Sequence, residues 1–355
     1  MGHLIGLGVD LGTSGIRLAL LDGAGAVLAE EASSYPGCFS DPLGWRDGLI
    51  VLCARLPATL RNRVGAVAID GTSGTLLLCR PDGSLLPGAL AKALPYHQAC
   101  PAQAALAAEL VDAGREPAPG PAASASGSLA RALQLLEAAA VAGECGPWLL
   151  RHQADWLMGW LLGDWRWGEA GNNLRLGWDL QRLCWLGSIA AQPWADALPR
   201  ICASGQPLGP LAPAVAKALG LPLSCQVMAG STDANAAVLA ADPQPGDGIT
   251  VLGTTLVLKQ FSQRPIHGPG ISCHRVAGRW LVGGASNAGA GVLRQVFSDV
   301  QLDELSRQID PRRPSGLALR PLPRAGERFP VDDPALEPVL GPRPVSDALY
   351  LQALL

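Results

Sequence analysis

Leu4-Ile-Gly-Leu-Gly-Val-Asp10-Leu-Gly12-Thr13-Ser14-Gly15-Ile16-Arg-Leu-Ala-Leu-Leu-Asp22 opens the chain with two apolar runs on either side of a short turn of small residues. Two such runs joined by a Gly-rich turn predict a β-hairpin. The small turn residues leave backbone N–H groups free to face an anion, and a phosphate suits that arrangement. Asp10 closes the first run beside the turn. A carboxylate next to a bound phosphate is repelled unless a hard cation such as Mg²⁺ lies between them. The spacing therefore admits two readings: a nucleotide-plus-metal site, or an ordinary hairpin turn, for which Asp and Gly are also common.

The pattern recurs. Val64 to Ile69 is a second apolar run, followed by Asp70-Gly71-Thr72-Ser73-Gly74 and the run Thr75 to Cys79. Ile249 to Leu252 is a third, followed by Gly253-Thr254-Thr255 and Leu256 to Leu258. Between the last two, the strand pattern Cys225 to Ala229 leads through Gly230-Ser231-Thr232 to Asp233 at the head of a small-residue helix, Ala234 to Ala241. A helix N-terminus favours an ionised carboxylate, so Asp233 there suits acceptance of a proton from a substrate hydroxyl. The same position is also the commonest structural use of Asp, as a helix N-cap.

At 355 residues, 48% hydrophobic and 16% charged, the chain has a core-forming balance and room for two domains. A net charge of -3 with no basic run argues against nucleic acid as a partner. Nine cysteines with no CxxC pair read as reduced core residues, and Cys53, Cys79 and Cys225 sit in apolar runs. The opening apolar run is cut by Asp10, too short for a signal peptide or a membrane span. The five histidines have no metal-ligand spacing, and no zinc site is expected. A cytoplasmic protein fits these features.

Along the chain, Ala26 to Ser33 predicts a third strand, and Trp45 to Leu60 has helical apolar spacing. Pro95-Tyr96-His97-Gln98 is a polar, aromatic patch that suits either a sugar or packing on its own domain. Gly114 to Ser128 reads as a flexible surface loop, and Leu129 to Gly163 as helix with Trp148, Trp156 and Trp160 as anchors. Gly171-Asn172-Asn173-Leu174 is a polar break, facing a cleft or serving as a cap or turn. Pro207 to Pro213, then a helix Ala214 to Leu219 stopped by Gly220, marks a boundary, giving domains 1–222 and 223–355. The mostly apolar run Ala348 to Leu355 predicts the first turns of a helix whose continuation is missing, leaving exposed a surface that a helix normally buries.

In this order, Asp10 with Gly12 to Gly15, Gly230-Ser-Thr-Asp233, and Gly253-Thr254-Thr255 resemble the FGGY family of carbohydrate kinases. Ala68-Ile-Asp-Gly-Thr-Ser-Gly74, Tyr96-His-Gln-Ala99 and Gly283-Gly-Ala-Ser-Asn287 are most similar to its D-ribulose kinase and xylulokinase-like members of cyanobacteria and plants. The resemblance runs over nearly the whole chain. It implies an α/β class protein with a duplicated RNase H-like (actin-like ATPase) fold. Each of two lobes would carry a mixed five-stranded sheet with flanking helices, the second lobe incomplete, with sugar and ATP meeting in a cleft.

By the same resemblance, Asp10 is the Mg²⁺- and phosphate-proximal carboxylate, and Asp233 is the general base. Gly12, Thr13, Ser14 and Arg17 form the first nucleotide contact, and Gly253, Thr254 and Thr255 the second. Ser73 and Gly74 fall at the sugar, with Gln98 and Asn172 as further candidates beside Asp10 and Asp233. ATP and Mg²⁺ are the implied cofactors, and a small sugar and ATP/ADP the partners of a monomer or homodimer. The location is cytoplasmic, or plastid stroma for a plant-like source. The expected reaction is phosphorylation of D-ribulose. D-xylulose kinase activity, or a sugar-binding pseudokinase with residual ATPase activity, is the alternative.

Overall fold

The computed structural model describes residues 5–112, 121–268 and 270–355. The loop predicted over Gly114 to Ser128 falls partly outside them. The opening stretch forms three antiparallel strands, β1 (Ile5–Leu11), β2 (Ile16–Leu21) and β3 (Val27–Ser33). β1 alternates buried and half-buried positions, with Ile5, Leu7, Val9 and Leu11 in the core.

Helix α1 (Pro42–Arg55) starts where Asp41 caps it, its Oδ1 accepting from Leu43 N at 3.2 Å, with Pro42 in the first turn. It buries Trp45, Leu49, Leu52 and Cys53 against the sheet. The single helix predicted over Trp45 to Leu60 is two: Pro57 lacks the N–H to continue α1, and α2 (Ala58–Arg61) follows.

β4 (Val64–Gly71) runs parallel to β1, but β5 (Leu76–Cys79) leaves the sheet. After α3 (Ala104–Asp112) and α4 (Ser128–Val141), β5 pairs antiparallel with β6 (Leu149–His152), which continues into α5 (Gln153–Leu162). A strand thus interrupts the helix predicted over Leu129 to Gly163, where Gly143, Gly146 and Pro147 break the helical run. These elements carry their own core, Leu76, Leu78, Leu129, Leu133 and Leu150 among others.

Short elements follow: β7 (Trp167–Glu169), α6 (Ala170–Asn173), β8 (Trp178–Asp179), β9 (Cys184–Trp185), α7 (Gly187–Ala190), β10 (Arg200–Cys202) and β11 (Pro207–Pro210). Helix α8 (Pro213–Leu219) ends at Gly220 with φ +63°, as its sequence predicts. β12 (Gln226–Thr232) and α9 (Asp233–Ala240) complete the first part of the molecule. Gly230 to Thr232, expected as a turn, is the end of a strand, because Ser231 and Thr232 pair with Asp70 and Gly71.

The main sheet has the order β11-β12-β4-β1-β2-β3, so the expected five strands gain a short sixth at the edge. β1, β4 and β12 are parallel to one another and end on the same side. The carboxyl ends of such strands are where open α/β sheets hold ligands.

Two compact units are present: residues up to Ala240 with Val276–Gly278, and Ala241–Arg275 with Arg279–Leu355. This division lies beyond the boundary read at 222/223, because β12 belongs to the first sheet. The second unit contains β13 (Gly248–Leu252), β14 (Leu256–Ser262), β15 (Ile271–Val276) and β16 (Arg279–Ser286), in the order β13-β14-β16-β15. The β13–β14 and β14–β16 pairs are antiparallel, and the described sheet is four-stranded rather than a mixed five. Helices α10 (Ala290–Leu293), α11 (Asp299–Ser306) and α12 (Asp347–Leu354) belong to it. The run Ala348 to Leu355 is not left uncovered: Tyr350, Leu351 and Leu354 are buried with Val292, Leu293 and Phe297. All nine cysteines are free thiols, with Cys53, Cys79 and Cys225 buried as expected. No described helix is long and apolar enough to cross a membrane.

Candidate functional site

Strand register brings three carboxylates to one edge of the first unit. Asp10 pairs across β1/β4 with Asp70, Asp70 pairs across β4/β12 with Ser231, and Asp233 lies two residues further on. Burial, then the charge of Asp10, a hydrogen bond with it and the charge of Asp233 push the Asp70 carboxyl up to about 8. Neighbouring like charges disfavour the ionised form of Asp70. On the other side Asp10 accepts from Arg17 Nη1 at 2.8 Å, in an exposed pair across the hairpin.

The hairpin turn is held from behind. Gly12 N donates to Gly15 O (3.0 Å), and Tyr35 Oη donates to Gly12 O (2.7 Å). Gln153 Nε2 reaches the same Tyr35 oxygen (3.3 Å), while its Oε1 accepts from Thr72 N (3.2 Å) and Thr72 Oγ1 (2.7 Å). One buried glutamine at the start of α5 thus ties the turn at residues 12–15 to the turn at residues 72–75. Thr13 and Ser14 are left exposed at the tip.

Asp233 is the first residue of α9, and the cap is supplied by its neighbour: Thr232 Oγ1 accepts from Asn235 N at 3.3 Å. Thr232 thus stands at the N-cap, and Asp233 is the first helical residue, its Oδ1 accepting from Ala234 N at 2.7 Å. The half-buried Asp233 carboxylate also draws on Arg175, whose guanidinium is lowered by burial and partly restored by that charge. Gly230 permits this placement, since a Cβ there would lie 1.7 Å from Ile69 O, and the β12 register shifts between Met228 and Ser231.

On the other flank, Ser73 is half-buried, Gly74 is buried with φ +101°, and Gln98 is exposed beside Tyr96 and His97. Asn172 is interior at 1% exposure, with Nδ2 3.5 Å from Ser231 O. The polar break at residues 171–174 is thus a helix within the core, not a cleft-facing loop. It hangs on Glu169, whose two oxygens accept from Gly171 N and Asn172 N, each at 2.9 Å. Asp155 stands behind, accepting from Glu169 N (2.9 Å) and Asn173 Nδ2 (3.1 Å). Burial pushes the Glu169 carboxyl up to about 8, against the pull of those two N–H groups.

The second unit holds Gly253, Thr254 and Thr255 in the β13–β14 hairpin turn. Ala290 N donates to Gly253 O (2.8 Å) and Gly291 N to Thr254 O (3.2 Å). A Cβ on Gly289 would meet Thr254 O at 2.7 Å, so glycine is what lets the chain before α10 pass so close. Asn287 N, just upstream, donates to Glu327 Oε1 (2.7 Å).

No protein-family model matches the chain. Solved structures do. A ligand-bound xylulose kinase from Lactobacillus acidophilus superposes with TM-score 0.76 at 16% identity, over 99% of this chain and 75% of that one. A xylulose kinase from Rhodospirillum rubrum gives 0.76 at 21% identity, over 98% and 75%. Plasmodium falciparum glycerol kinase with ADP gives 0.76 at 14%, over 99% and 76%. The likeness is one of fold. The chain is an α/β protein with the architecture of these sugar kinases.

The Mg²⁺ implied by the family resemblance fits the donor set. Asp10 and Asp70 offer hard oxygens, Asp70 Oδ1 is buried without a hydrogen-bond partner, and the crowded negative charge favours a cation. Among the described residues no three His, Cys, Asp or Glu side chains form a metal cage. Mg²⁺ usually needs none, since it is held by one or two carboxylates, water and phosphate oxygens. Asp70, Gln153 and Arg175 join the candidate site from the structure and are not among the residues expected from the sequence. Asp70 was visible as the counterpart of Asp10 in the repeated strand-turn pattern. The others act through contacts made far along the chain.

Proposed function

We propose that this chain is an ATP-dependent pentulose kinase that converts D-ribulose to D-ribulose 5-phosphate. The observation that supports the reading is the placement of Asp233: a half-buried carboxylate just after β12, with Thr232 supplying the N-cap bond to Asn235 N, on the side of the sheet where β4 and β1 end, near Asp70 and Asp10. Phosphoryl transfer asks little covalent chemistry of a protein beyond positioning, charge neutralisation and one base. In this reading Asp233 takes the proton of the terminal sugar hydroxyl as its oxygen attacks the γ-phosphorus. The bond to the β,γ-bridging oxygen breaks, and ADP leaves. Backbone N–H groups of Gly12 to Ser14, with Arg17, bind phosphate oxygens, and Gly253 to Thr255 contribute further contacts. Asp10 and Asp70 would hold Mg²⁺, which when bound neutralises phosphate charge. Ser73, Gly74 and Gln98 meet the sugar. Asn172, being interior, acts by supporting Ser231.

D-ribulose is preferred over D-xylulose because Gly71-Thr-Ser-Gly74 differs from the Met-His-Gly of typical xylulokinases. The free thiols suit a reducing compartment such as the cytoplasm or a plastid stroma. The test is ADP release by the purified chain across pentuloses, hexuloses and polyols. The expected result is release that depends on sugar and is fastest with D-ribulose. Faster turnover of D-xylulose would reassign the substrate. ADP release indifferent to every sugar would leave an ATPase, and sugar binding without ATP affinity a pseudokinase.

A further inference from the structure

Arg131, on α4, is completely buried, and its guanidinium is spent on main-chain carbonyls. Nε donates to Pro95 O (2.9 Å) and Gln98 O (3.1 Å), Nη1 to Gly74 O (3.1 Å), and Nη2 to Tyr96 O. A planar fork of N–H donors can serve several separate acceptors at once, which an ammonium or an amide cannot. Burial lowers its pKa to about 10, which leaves it charged at neutral pH. The two segments it holds come from distant parts of the sequence: the turn after β4 and the patch Pro95-Tyr96-His97-Gln98.

Three further contacts fix what the clamp presents. Gly74 has φ +101°, and a Cβ there would stand 3.2 Å from Arg131 Nη1, so both the backbone and the room demand glycine. Tyr96 N donates to Thr75 Oγ1 (3.1 Å), while its phenol lies 3.3 Å from Thr13 Oγ1 in the first turn. That same Cβ position on Gly74 is 3.8 Å from Cδ of Arg175, the residue that feels the charge of Asp233. The clamped carbonyls face inward, and the side chains of Tyr96, His97 and Gln98 stay exposed.

We propose that Arg131 is a positioning residue for the acceptor sugar: by gathering the carbonyls of Gly74, Pro95, Tyr96 and Gln98 it builds the wall that sets sugar affinity without touching the sugar. This inference rests on the kinase reading above. The wall adjoins Asp233 through Arg175, the acceptor end of the reaction, so its loss should fall on the sugar and spare ATP.

The test compares Arg131→Gln, Arg131→Lys and Thr75→Ala in the full chain, with steady-state kinetics on D-ribulose and ATP and circular dichroism as a check of folding. Leaving several buried carbonyls unpaired should raise the sugar KM by roughly 10- to 100-fold in Arg131→Gln, with kcat and the ATP KM within about threefold of wild type. Arg131→Lys keeps the charge and fewer of the bonds, so its sugar KM should be intermediate. Thr75→Ala removes the acceptor of Tyr96 N and loosens the same segment from a residue not placed at the sugar, so it should give a smaller defect of the same sugar-selective kind, which decides the matter if Arg131→Gln does not fold. A sugar KM within about twofold of wild type in the folded variants, or equal losses on sugar and ATP, overturns the proposal while the kinase reading stands. Failure of the wild-type chain to release ADP with any sugar overturns the kinase reading, and this inference with it.

Discussion

At Asp233 two roles open to one side chain are separated by its neighbour. Thr232 Oγ1 takes the N–H of Asn235, while Asp233 Oδ1 takes that of Ala234, a bond that an asparagine oxygen can also make. Substituting Thr232 by Ala should therefore cost about 1 kcal/mol of stability, the usual worth of a cap, measurable by urea unfolding, whereas Asp233→Asn should cost less. Activity should rank them the other way. On the proposed mechanism Asp233→Asn lowers kcat by about 10²- to 10⁴-fold with little change in sugar KM, the ordinary contribution of a general base. Near-normal turnover in Asp233→Asn would remove the base assignment. Glu169 offers a test by pH. Its folded pKa, pushed up to about 8 chiefly by burial from an ordinary 4.5, means that the folded state binds the proton more tightly than the unfolded chain. Its contribution is thus fully present below the ordinary value and is lost as pH climbs through about 8. Wild-type melting temperature should fall between about pH 5 and pH 9, and Glu169→Gln, which does not titrate, should show a shallower fall from a lower start. The lower start follows because an amide nitrogen cannot accept the second of the two N–H bonds. Equal slopes in the two proteins would mean that Glu169 does not titrate as described.

Elements were legible where their signals are local. The hairpin β1–β2, the strand β3, the stop of α8 at Gly220 and the hairpin β13–β14 follow from alternation and turn chemistry carried within about ten residues. Pairing partners were not legible. β5 follows Gly74 as β2 follows Gly15, yet it pairs with β6, more than seventy residues on, because Leu76 to Cys79 are buried on both faces. Fully buried strands carry no alternation that would tell one sheet from another. Of the candidate site, Asp10, Asp233 and the small-residue turns could be read from residue type. Arg131 and Gln153 could not, since an apolar helical context gives no hint that a polar group within it is satisfied by distant main chain. Gly230 sits between these cases. Its Cβ position, 1.7 Å from Ile69 O, makes it the point where β12 is drawn against β4. Gly230→Ala should destabilise the chain by about 1–3 kcal/mol, the usual cost of forcing atoms into packed space. By moving Asp233 it should also lower kcat, with thermal unfolding and turnover reading the two effects. A variant with wild-type stability would mean that the two strands can part without cost.

For the whole molecule, the residues proposed to meet the acceptor sugar lie in the first unit, while phosphate contacts are proposed in both. This division predicts separable losses. Thr254 is exposed in a turn whose carbonyls are pinned by Ala290 and Gly291, so a longer side chain there need not disturb the fold. Thr254→Glu sets a carboxylate at the turn proposed to meet phosphate oxygens. Repulsion of an anionic ligand should raise the ATP KM by about tenfold, equivalent to about 1.4 kcal/mol, with sugar KM at saturating ATP unchanged. Because the introduced charge is exposed, added salt should recover part of the loss, which separates electrostatic repulsion from misfolding of the turn. A sugar KM that rises together with the ATP KM would mean that the second unit is not confined to the nucleotide. An ATP KM that does not move would take Gly253 to Thr255 out of the nucleotide site and leave phosphate binding to the hairpin turn at residues 12–14.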